Sequence, residues 1–389
     1  MINRLKTILG DFLRQADLVL LGLCSAATIY GILLIFSATR YKDSNRYVIV
    51  QTVALLLGIM VYIAFSMVDL EMLMKRWKLV AFFNVAFILL LRTPFGVEAY
   101  GNRAWLKFPF IPITIGPAEV VKITFVLLLG WQLAWLLEEK RDLKSLRSAL
   151  SVGVHTVGLC GLYVVVSGDM GNALVFFFIF LCMAFVAGFD LRWFVLVLGG
   201  GAAAVAAAWK LNLMPTYMRK RFMVLFDHSY DPMDAGWQQT RSLLTLGSGG
   251  VTGQGFLNGV QTQSSYGSSL PARWTDFVFS ACGEELGMLG CLAVIALLLA
   301  IIFRVLIVAK KARSPFECYV CVGMAAMLIF QMTINIGMCL FVMPTIGITL
   351  PFFSYGGSSV VTLFMAMGVV SGIKKRSPAA RRPGKPLRQ

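Results

Sequence analysis

Charge is scarce in this chain: only 14% of its 389 residues are Asp, Glu, Lys or Arg, against 58% hydrophobic residues, and the mean hydropathy is +0.77. That is too little polar surface to clothe a soluble globule, and the apolar runs approach bilayer length. Histidine is nearly missing. His155 and His228 are too few and too scattered for a zinc site, and there is no H-E-x-x-H. Eight cysteines are present, yet only Cys318 and Cys321 make a C-x-x-C, with no second pair or nearby histidine to complete a metal or redox site. They read as small buried thiols in helix packing, and no disulfide is expected. The glycine-rich run Gly247 to Gly255 lacks the Lys-Ser/Thr of a P-loop and a neighbouring strand for a dinucleotide fold. No soluble domain can be cut out, and no repeat of fixed period is present.

What the chain does have is long apolar segments. Runs such as Val175 to Gly188 lack the in-out alternation of a barrel strand, so the membrane part is helical. Apolar windows predict ten spans, near 17–37, 48–66, 77–92, 117–136, 150–166, 171–189, 191–209, 281–308, 316–342 and 352–373. The expectation is an all-α polytopic membrane protein of about ten transmembrane helices, with a large extracellular loop, about 210–280, between helices 7 and 8. Residues 1–373 form one membrane domain, and 374–389 a basic cytoplasmic tail, disordered and drawn to the membrane. Lys140, Arg141, Lys144, Arg147, Lys310, Lys311, Arg313 and the tail all fall on one side, which places both termini in the cytoplasm. Arg40, Lys42, Arg46, Arg103 and Lys107 fall on the other side, as anion ligands or interfacial anchors. The formal charge of +16 is matched to anionic membrane lipid rather than nucleic acid. The basic segment 1–16 leads into a first helix long enough to span and with no cleavage site, so it is read as uncleaved.

Four irregular segments share the outer face in this arrangement: 93–116, the start of the sixth span at Asp169, 210–280, and the proline- and glycine-broken stretch from Phe341 to Ser354. Ionisable groups at membrane depth are costly and mark candidate sites. Glu119 and Lys122 follow Pro117 at i,i+3 spacing on one helix face, a functional pair or a self-neutralising one. Asp169 stands at a helix start, where an N-cap is the plainer reading. The amides of Gly247 to Gly255 could form an anion nest or simply a tight turn. Asp276, in Leu270-Pro271-Ala272-Arg273-Trp274-Thr275-Asp276-Phe277-Val278-Phe279, is flanked by aromatic residues. Withdrawn from water, it would have a raised pKa and serve as a general base; the alternative is a helix-capping acid paired with Arg273.

Several of these segments together resemble the SEDS family (shape, elongation, division and sporulation), which includes RodA, FtsW and SpoVE. The resemblance spans nearly the whole chain. It rests on Gly236-Trp237-Gln238, Gly247 to Gly255, Leu270-Pro271 with Thr275 to Phe279, Gly283-Glu284-Glu285-Leu286-Gly287, Asn335 to Met338, and Pro344 through Ser359. The family's Gln-Pro-Ser-Glu motif and following Lys fall on Gly116 to Glu119 and Lys122. Its Pro-Asp-Leu-Gly-Thr falls on Gly168 to Asn172, and its Gly-x-x-x-Trp on Gly101 to Trp105. The Glu that often follows Leu-Pro is here Ala272, and other side chains of these motifs are replaced. Gly253 to Gln261 and the Asn-x-Gly-Met look more like RodA than FtsW.

The resemblance implies a peptidoglycan glycosyltransferase of the bacterial cytoplasmic membrane that polymerises lipid II into β-1,4 glycan at the outer face, beside a class B penicillin-binding protein transpeptidase. It carries the essential loop aspartate onto Asp276, as the base acting on the acceptor GlcNAc 4-hydroxyl. Lys122, Arg103, Arg219, Arg221 and Lys107 become candidate pyrophosphate ligands, with Glu119, Asp169, Trp105 and Ser354 as further substrate-binding candidates. A divalent cation, magnesium or manganese, could bridge phosphates to Glu119, Asp169 or Asp276. Two other classes compete: a lipid II flippase, which should show internal symmetry and a midplane site, and a non-catalytic scaffold, which would not need buried charges.

Overall fold

The computed structural model describes residues 16–42, 44–99, 102–108, 114–139, 143–228, 230–231, 236–266 and 269–376, except the Ala99 and Tyr217 side chains. Residues 1–15, Gly101, Lys140, Arg141 and the tail beyond Arg376 lie outside the described residues.

In chain order the elements are α1 (Leu18–Thr39), α2 (Arg46–Ser66), α3 (Leu70–Met74), α4 (Trp77–Leu89), the hairpin β1 (Gly96–Ala99) and β2 (Asn102–Leu106), and α5 (Pro117–Glu138). They continue with α6 (Leu146–Ser167), α7 (Met170–Ala187), α8 (Leu191–Lys210), α9 (Thr216–Phe226), α10 (Trp237–Ser248) and α11 (Val260–Gln263), then α12 (Val278–Lys310), α13 (Pro315–Cys339) and α14 (Gly357–Arg376). Among the described residues nine helices are long and apolar enough to cross a membrane: α1, α2, α5 to α8 and α12 to α14. The protein is an all-α polytopic membrane protein, and the expected third span is the exception. That segment is α4, 13 residues long, prolonged by a 3-10 turn at Leu90–Arg92. Together they reach only about 25 Å, short of the roughly 30 Å apolar thickness of a bilayer. The helix stops because Pro94 forces Thr93 into an extended conformation (φ −80°, ψ 172°).

The two long loops carry more structure than their polarity suggests. Within 93–116, Val97 pairs with Trp105 and Gly96 with Leu106 in an antiparallel hairpin. Within 210–280 lie α9, α10 and α11. The inward faces of α10 and α11 are polar, so hydropathy does not reveal them. Ser242 of α10 meets Ser280 at 2.6 Å and donates to the Cys339 carbonyl at 2.9 Å, and Gln239 donates to the Met343 carbonyl at 2.7 Å.

At one end of the bundle a single buried acid ties four helices together. Asp17 receives Arg304 (α12) at 2.8 and 3.0 Å and Lys374 (α14) at 3.1 Å, and it accepts from the Leu20 amide of α1. Its carbonyl takes the Tyr62 hydroxyl of α2, and its amide donates to Ser371 of α14. Burial pushes the Asp17 carboxyl up, but the bonds from Arg304, Leu20 and Lys374 outweigh it and hold the pKa below the ordinary value. Along the same seam α14 lies tight against α2. A side chain at Gly368 would begin 2.6 Å from the Tyr62 carbonyl, and one at Gly372 would begin 2.8 Å from that of Ser66. Small residues let membrane helices approach this closely and gain dispersion contacts that lipid cannot replace.

Gly368→Val must therefore push α14 off α2, and a loss of about 1–3 kcal/mol is expected, read as a lower unfolding temperature in detergent. Gly161→Ala, which meets no atom within 4 Å, should unfold like the wild type.

Candidate active site

The end of the bundle opposite Asp17 is organised by a break in α12. At Gly287 the backbone turns to φ 64°, ψ −163°, a conformation only glycine adopts without strain. The break opens the two helical bonds that Met288 and Leu289 would make to the Glu284 and Glu285 carbonyls. The loop 250–255 inserts in their place: Met288 and Leu289 donate to the Gly250 and Val251 carbonyls at 2.9 and 3.2 Å, while Gln254 and Gly255 donate to Glu284 and Glu285 at 2.8 and 3.0 Å. Every opened group is paired again. The glycine-rich run is thus spent on backbone packing: a Cβ at Gly253 would lie 2.2 Å from the Glu285 carbonyl. With the Gly253, Gln254 and Gly255 amides all donated inside the protein, an anion nest is not what this run forms.

The buried acids that follow Asp276 are also structural. Glu284 accepts from the amides of Gln261 and Thr262 at 2.8 and 2.7 Å and from the Thr262 hydroxyl at 2.6 Å. Glu285 accepts from Ser37 at 2.6 Å and Gln263 at 2.8 Å. Together they fix α11 against α12 and α1. Arg273 belongs to the same scaffold. It is buried, donates to the carbonyls of Gln261, Thr262 and Ser264, and stacks its guanidinium 4.0 Å from the Tyr41 ring centre. It is therefore not the partner of Asp276.

Asp276 is held by its backbone and left open at its carboxylate. Asn335 of α13 donates one amide group to both the Asp276 and the Ile348 carbonyls at 2.8 Å, joining the turn 271–277 to the loop 341–354. Tyr355 donates to the Trp274 carbonyl at 2.8 Å, and Ser354 donates to that of Thr275 at 2.6 Å while accepting from the Leu350 amide. The buried rings of Phe277 and Phe279 anchor the start of α12. The cap of that helix is Phe277 with no side-chain bond, so Asp276 is not a capping acid. Among the described residues no donor reaches its carboxylate, and burial pushes its pKa up to about 6.

The other acids and the lysine gather at the same end. Lys122 is fully buried and bonds Glu119 at 2.8 Å, and Ser359 at the start of α14 approaches Glu119 at 3.4 Å. Trp105 of β2 packs over Gly116, its ring 3.2 Å from where a Cβ would stand. Asp169 does cap α7, accepting from the Asn172 amide at 3.2 Å and side chain at 2.7 Å, and from Tyr163 at 3.3 Å. The loop 346–348 links this group to Asp276: the Ile346 carbonyl lies against Gly171, and a Cβ placed on Gly347 would stand 4.0 Å from the Asp276 carboxylate. Arg221 reaches the same loop through the Thr345 carbonyl at 2.7 Å.

Three candidates stand apart. Arg103 faces Glu98 at 4.0 Å on the open side of the hairpin, Lys107 is exposed, and Arg219 is engaged with Asn212 and Trp209 beyond α8. Ser354 sits inside the wall with its hydroxyl occupied on both sides, a positioning group rather than a surface. Asn335 and Gln51, which grips the Ser354 carbonyl and the Gly356 amide, carry positioning work beyond the charged candidates. Their signal was an amide side chain within an apolar span.

A family model described as a cell cycle protein family, FtsW, RodA and SpoVE, matches residues 14–378. The chain belongs to this family. It is 32% identical to "Probable peptidoglycan glycosyltransferase FtsW" of Nitrosococcus halophilus over 94% of each chain. It is 29% identical to "Peptidoglycan glycosyltransferase MrdB" of Escherichia coli K12, over 92% of this chain and 93% of that one. Among solved structures it superposes with a TM-score of 0.76 on a chain from "Structural coordination of polymerization and crosslinking by a peptidoglycan synthase complex", at 27% identity over 92% and 97% of the two chains. The rod shape determining protein RodA of Thermus thermophilus gives 0.65, at 25% identity over 93% and 98%.

Folded Asp276 keeps its proton up to about pH 6, where an unfolded aspartate releases it near 3.8. Its contribution to stability is therefore complete below pH 3.8 and lost as pH rises through 6. Asp276→Asn should accordingly unfold at a higher temperature than wild type at pH 7.5, with the gap closing toward pH 4. A second variant tests the support: Asn335→Leu, which frees the Asp276 carbonyl, should lower the unfolding temperature at every pH without changing that slope.

Proposed function

We propose that this protein polymerises lipid II into β-1,4 glycan strands with release of undecaprenyl pyrophosphate. The observation that carries the reading is the Asp276 carboxylate, desolvated, unpartnered and fixed by its backbone at the end of the bundle that also holds Lys122, Glu119 and Asp169. A base needs a pKa near the working pH and a free lone pair, and Asp276 has both. Family membership and the names of the matched relatives point to the same chemistry.

Asp276 takes the proton of the acceptor GlcNAc 4-hydroxyl as its oxygen attacks the anomeric carbon of the donor sugar. The bond from that carbon to the pyrophosphate oxygen breaks, the electron pair leaves with undecaprenyl pyrophosphate, and the anomeric centre inverts. Lys122, and Arg221 through its bond to the Thr345 carbonyl of the loop beside Asp276, are the cations assigned to offset the charge on the departing group. Trp105 beside Glu119 offers an aromatic wall to the saccharide, with Arg103 and Arg219 further out along the path of the substrate. Glu119, Asp169 and Asp276 are hard oxygen donors of the kind magnesium and manganese take. A cation held by one of these carboxylates would supply charge neutralisation at the substrate phosphates; among the described residues no three His, Cys, Asp or Glu side chains cluster as ligands.

The reading extends to setting. The reaction belongs at the outer face of the bacterial cytoplasmic membrane, with both termini inside, and next to a class B penicillin-binding protein that crosslinks the product. The matched synthase complex, which couples polymerization and crosslinking, supports that partnership. The RodA-like reading rests on Gly253 to Gln261 and Asn335 to Met338; identities of 32% to an FtsW and 29% to MrdB do not favour it.

Purified protein incubated with lipid II and a divalent cation, alone and with the transpeptidase, should yield a glycan ladder on a gel. Asp276→Asn should lose at least about 100-fold in rate, and wild-type rate should rise with pH up to about 6 and then level. Full activity in Asp276→Asn would remove the base from this scheme, and bound but unpolymerised lipid II under all conditions would favour a flippase or scaffold.

A further inference from the structure

A cavity of about 530 Å³ opens between α6, α7 and α8. Its walls are the first part of α6 (Leu146, Leu150, Gly153, Val154, Val157 and Gly158 among them), the second half of α7 from Phe177 on, and the first two turns of α8. Apart from the Thr156 side chain the lining is hydrocarbon and aromatic rings. It does not belong to the site around Asp276. α7 begins at Asp169 beside that site, and the cavity takes in only positions from Phe177 to Ala184 and Phe189, about 10 to 25 Å further along the helix. α8, which closes one side, has no buried residue, so the gap is a slot left between helices and open to the bilayer.

The mouth of this slot is basic. Arg192, at the second position of α8, donates to the Lys144 carbonyl at 2.7 Å, where Trp193 also donates at 3.2 Å, and its side chain remains 61% exposed beside Asp190 at 3.3 Å. Arg147 is exposed, one residue after Leu146 and three before Leu150, both of which line the slot. Lys144 is exposed on the turn before α6. Three cations thus lie at the polar end of an apolar slot, with Asp190 beside Arg192. A crossing helix, about 10 Å wide and 30 Å long, displaces on the order of 2,000 Å³, so the slot suits an extended chain far better than a protein helix.

We infer that this slot is a binding site for one anionic phospholipid, its acyl chain between α6, α7 and α8 and its phosphate against Arg147 and Arg192. Basic clusters at the ends of membrane helices select anionic headgroups, and one cation close to the surface corresponds to about a fivefold preference. The site is independent of the polymerase reading, since it shares no residue with it.

Trp193 lies in the wall and reports on occupancy. The full-length protein in vesicles, with Trp193→Phe as the difference reference, is titrated with phospholipids carrying brominated acyl chains. Phosphatidylglycerol should quench the Trp193 component at a mole fraction at least about fivefold lower than phosphatidylethanolamine. Arg147→Gln, and separately Arg192→Glu, should reduce that preference. Gly153→Phe and Gly158→Phe, whose new side chains start with no atom within 4 Å and grow into the slot, should remove the excess quenching for both lipids. Gly161→Leu, also in open space but outside the lining, should change nothing. Equal quenching by the two lipids, or quenching unaltered by the glycine replacements in protein that unfolds at the wild-type temperature, overturns the inference. A partner helix as the true occupant would show as phosphatidylglycerol-independent loss of quenching when the transpeptidase is added.

Discussion

In hydrocarbon no water is at hand to satisfy an opened helix, so the break in α12 at Gly287 can exist only if protein fills it. The loop 250–255 does so, replacing the two lost helical bonds with four from its own backbone. Much of the Asp276 end of the bundle follows from that exchange. The loop must be glycine-rich to lie against the Glu284 and Glu285 backbone, those two acids must turn to α11 and α1, and Arg273 must bind the carbonyls that close the segment. Asp276 is then the one carboxylate of the segment without work in the scaffold.

The Asp17 end obeys the same rule with charges instead of backbone. Asp17 is fully buried, and such an acid is tolerable only with its partners in place. Arg304 and Lys374 come from two different helices, so the acid sets how α12 and α14 meet α1. The two ends of α12 are consequently fixed by different means, an inserted loop near Asp276 and an ion cluster near Arg304. Fixing both ends of the helix suits the role proposed for Asp276, since a general base acts only when held in place against the group it deprotonates.

Polar positioning rather than charge distinguishes the wall around Asp276. Asn335 and Gln51 spend their amides on carbonyls and amides of the 271–277 and 341–356 segments, where a broken backbone would otherwise be unpaired. Lys122 and Glu119 neutralise each other in the resting protein and so can be buried near Asp276 without raising its pKa through a bare charge. It is burial that drives the Asp276 pKa to about 6.

Nine spans were legible because apolar length is a property of the chain itself: α1, α2, α5 to α8 and α12 to α14 all fall within a few residues of the hydropathy windows. The third expected window, 77–92, is helical over those residues, as Trp77–Leu89 and the turn Leu90–Arg92, but is too short to count among the nine. Asp276, Glu119, Lys122 and Asp169 stood out because charge near lipid is rare enough to mark itself. What no stretch of sequence could decide was which partners these groups take. Whether Arg273 pairs with Asp276 or with three carbonyls of the preceding segment, whether the glycine run holds an anion or mends a helix, and whether Ser354 faces a substrate or a backbone depend on contacts between residues 9 to 79 positions apart. Periodicity and composition report on one segment at a time, and a buried polar group is defined by the segment it meets.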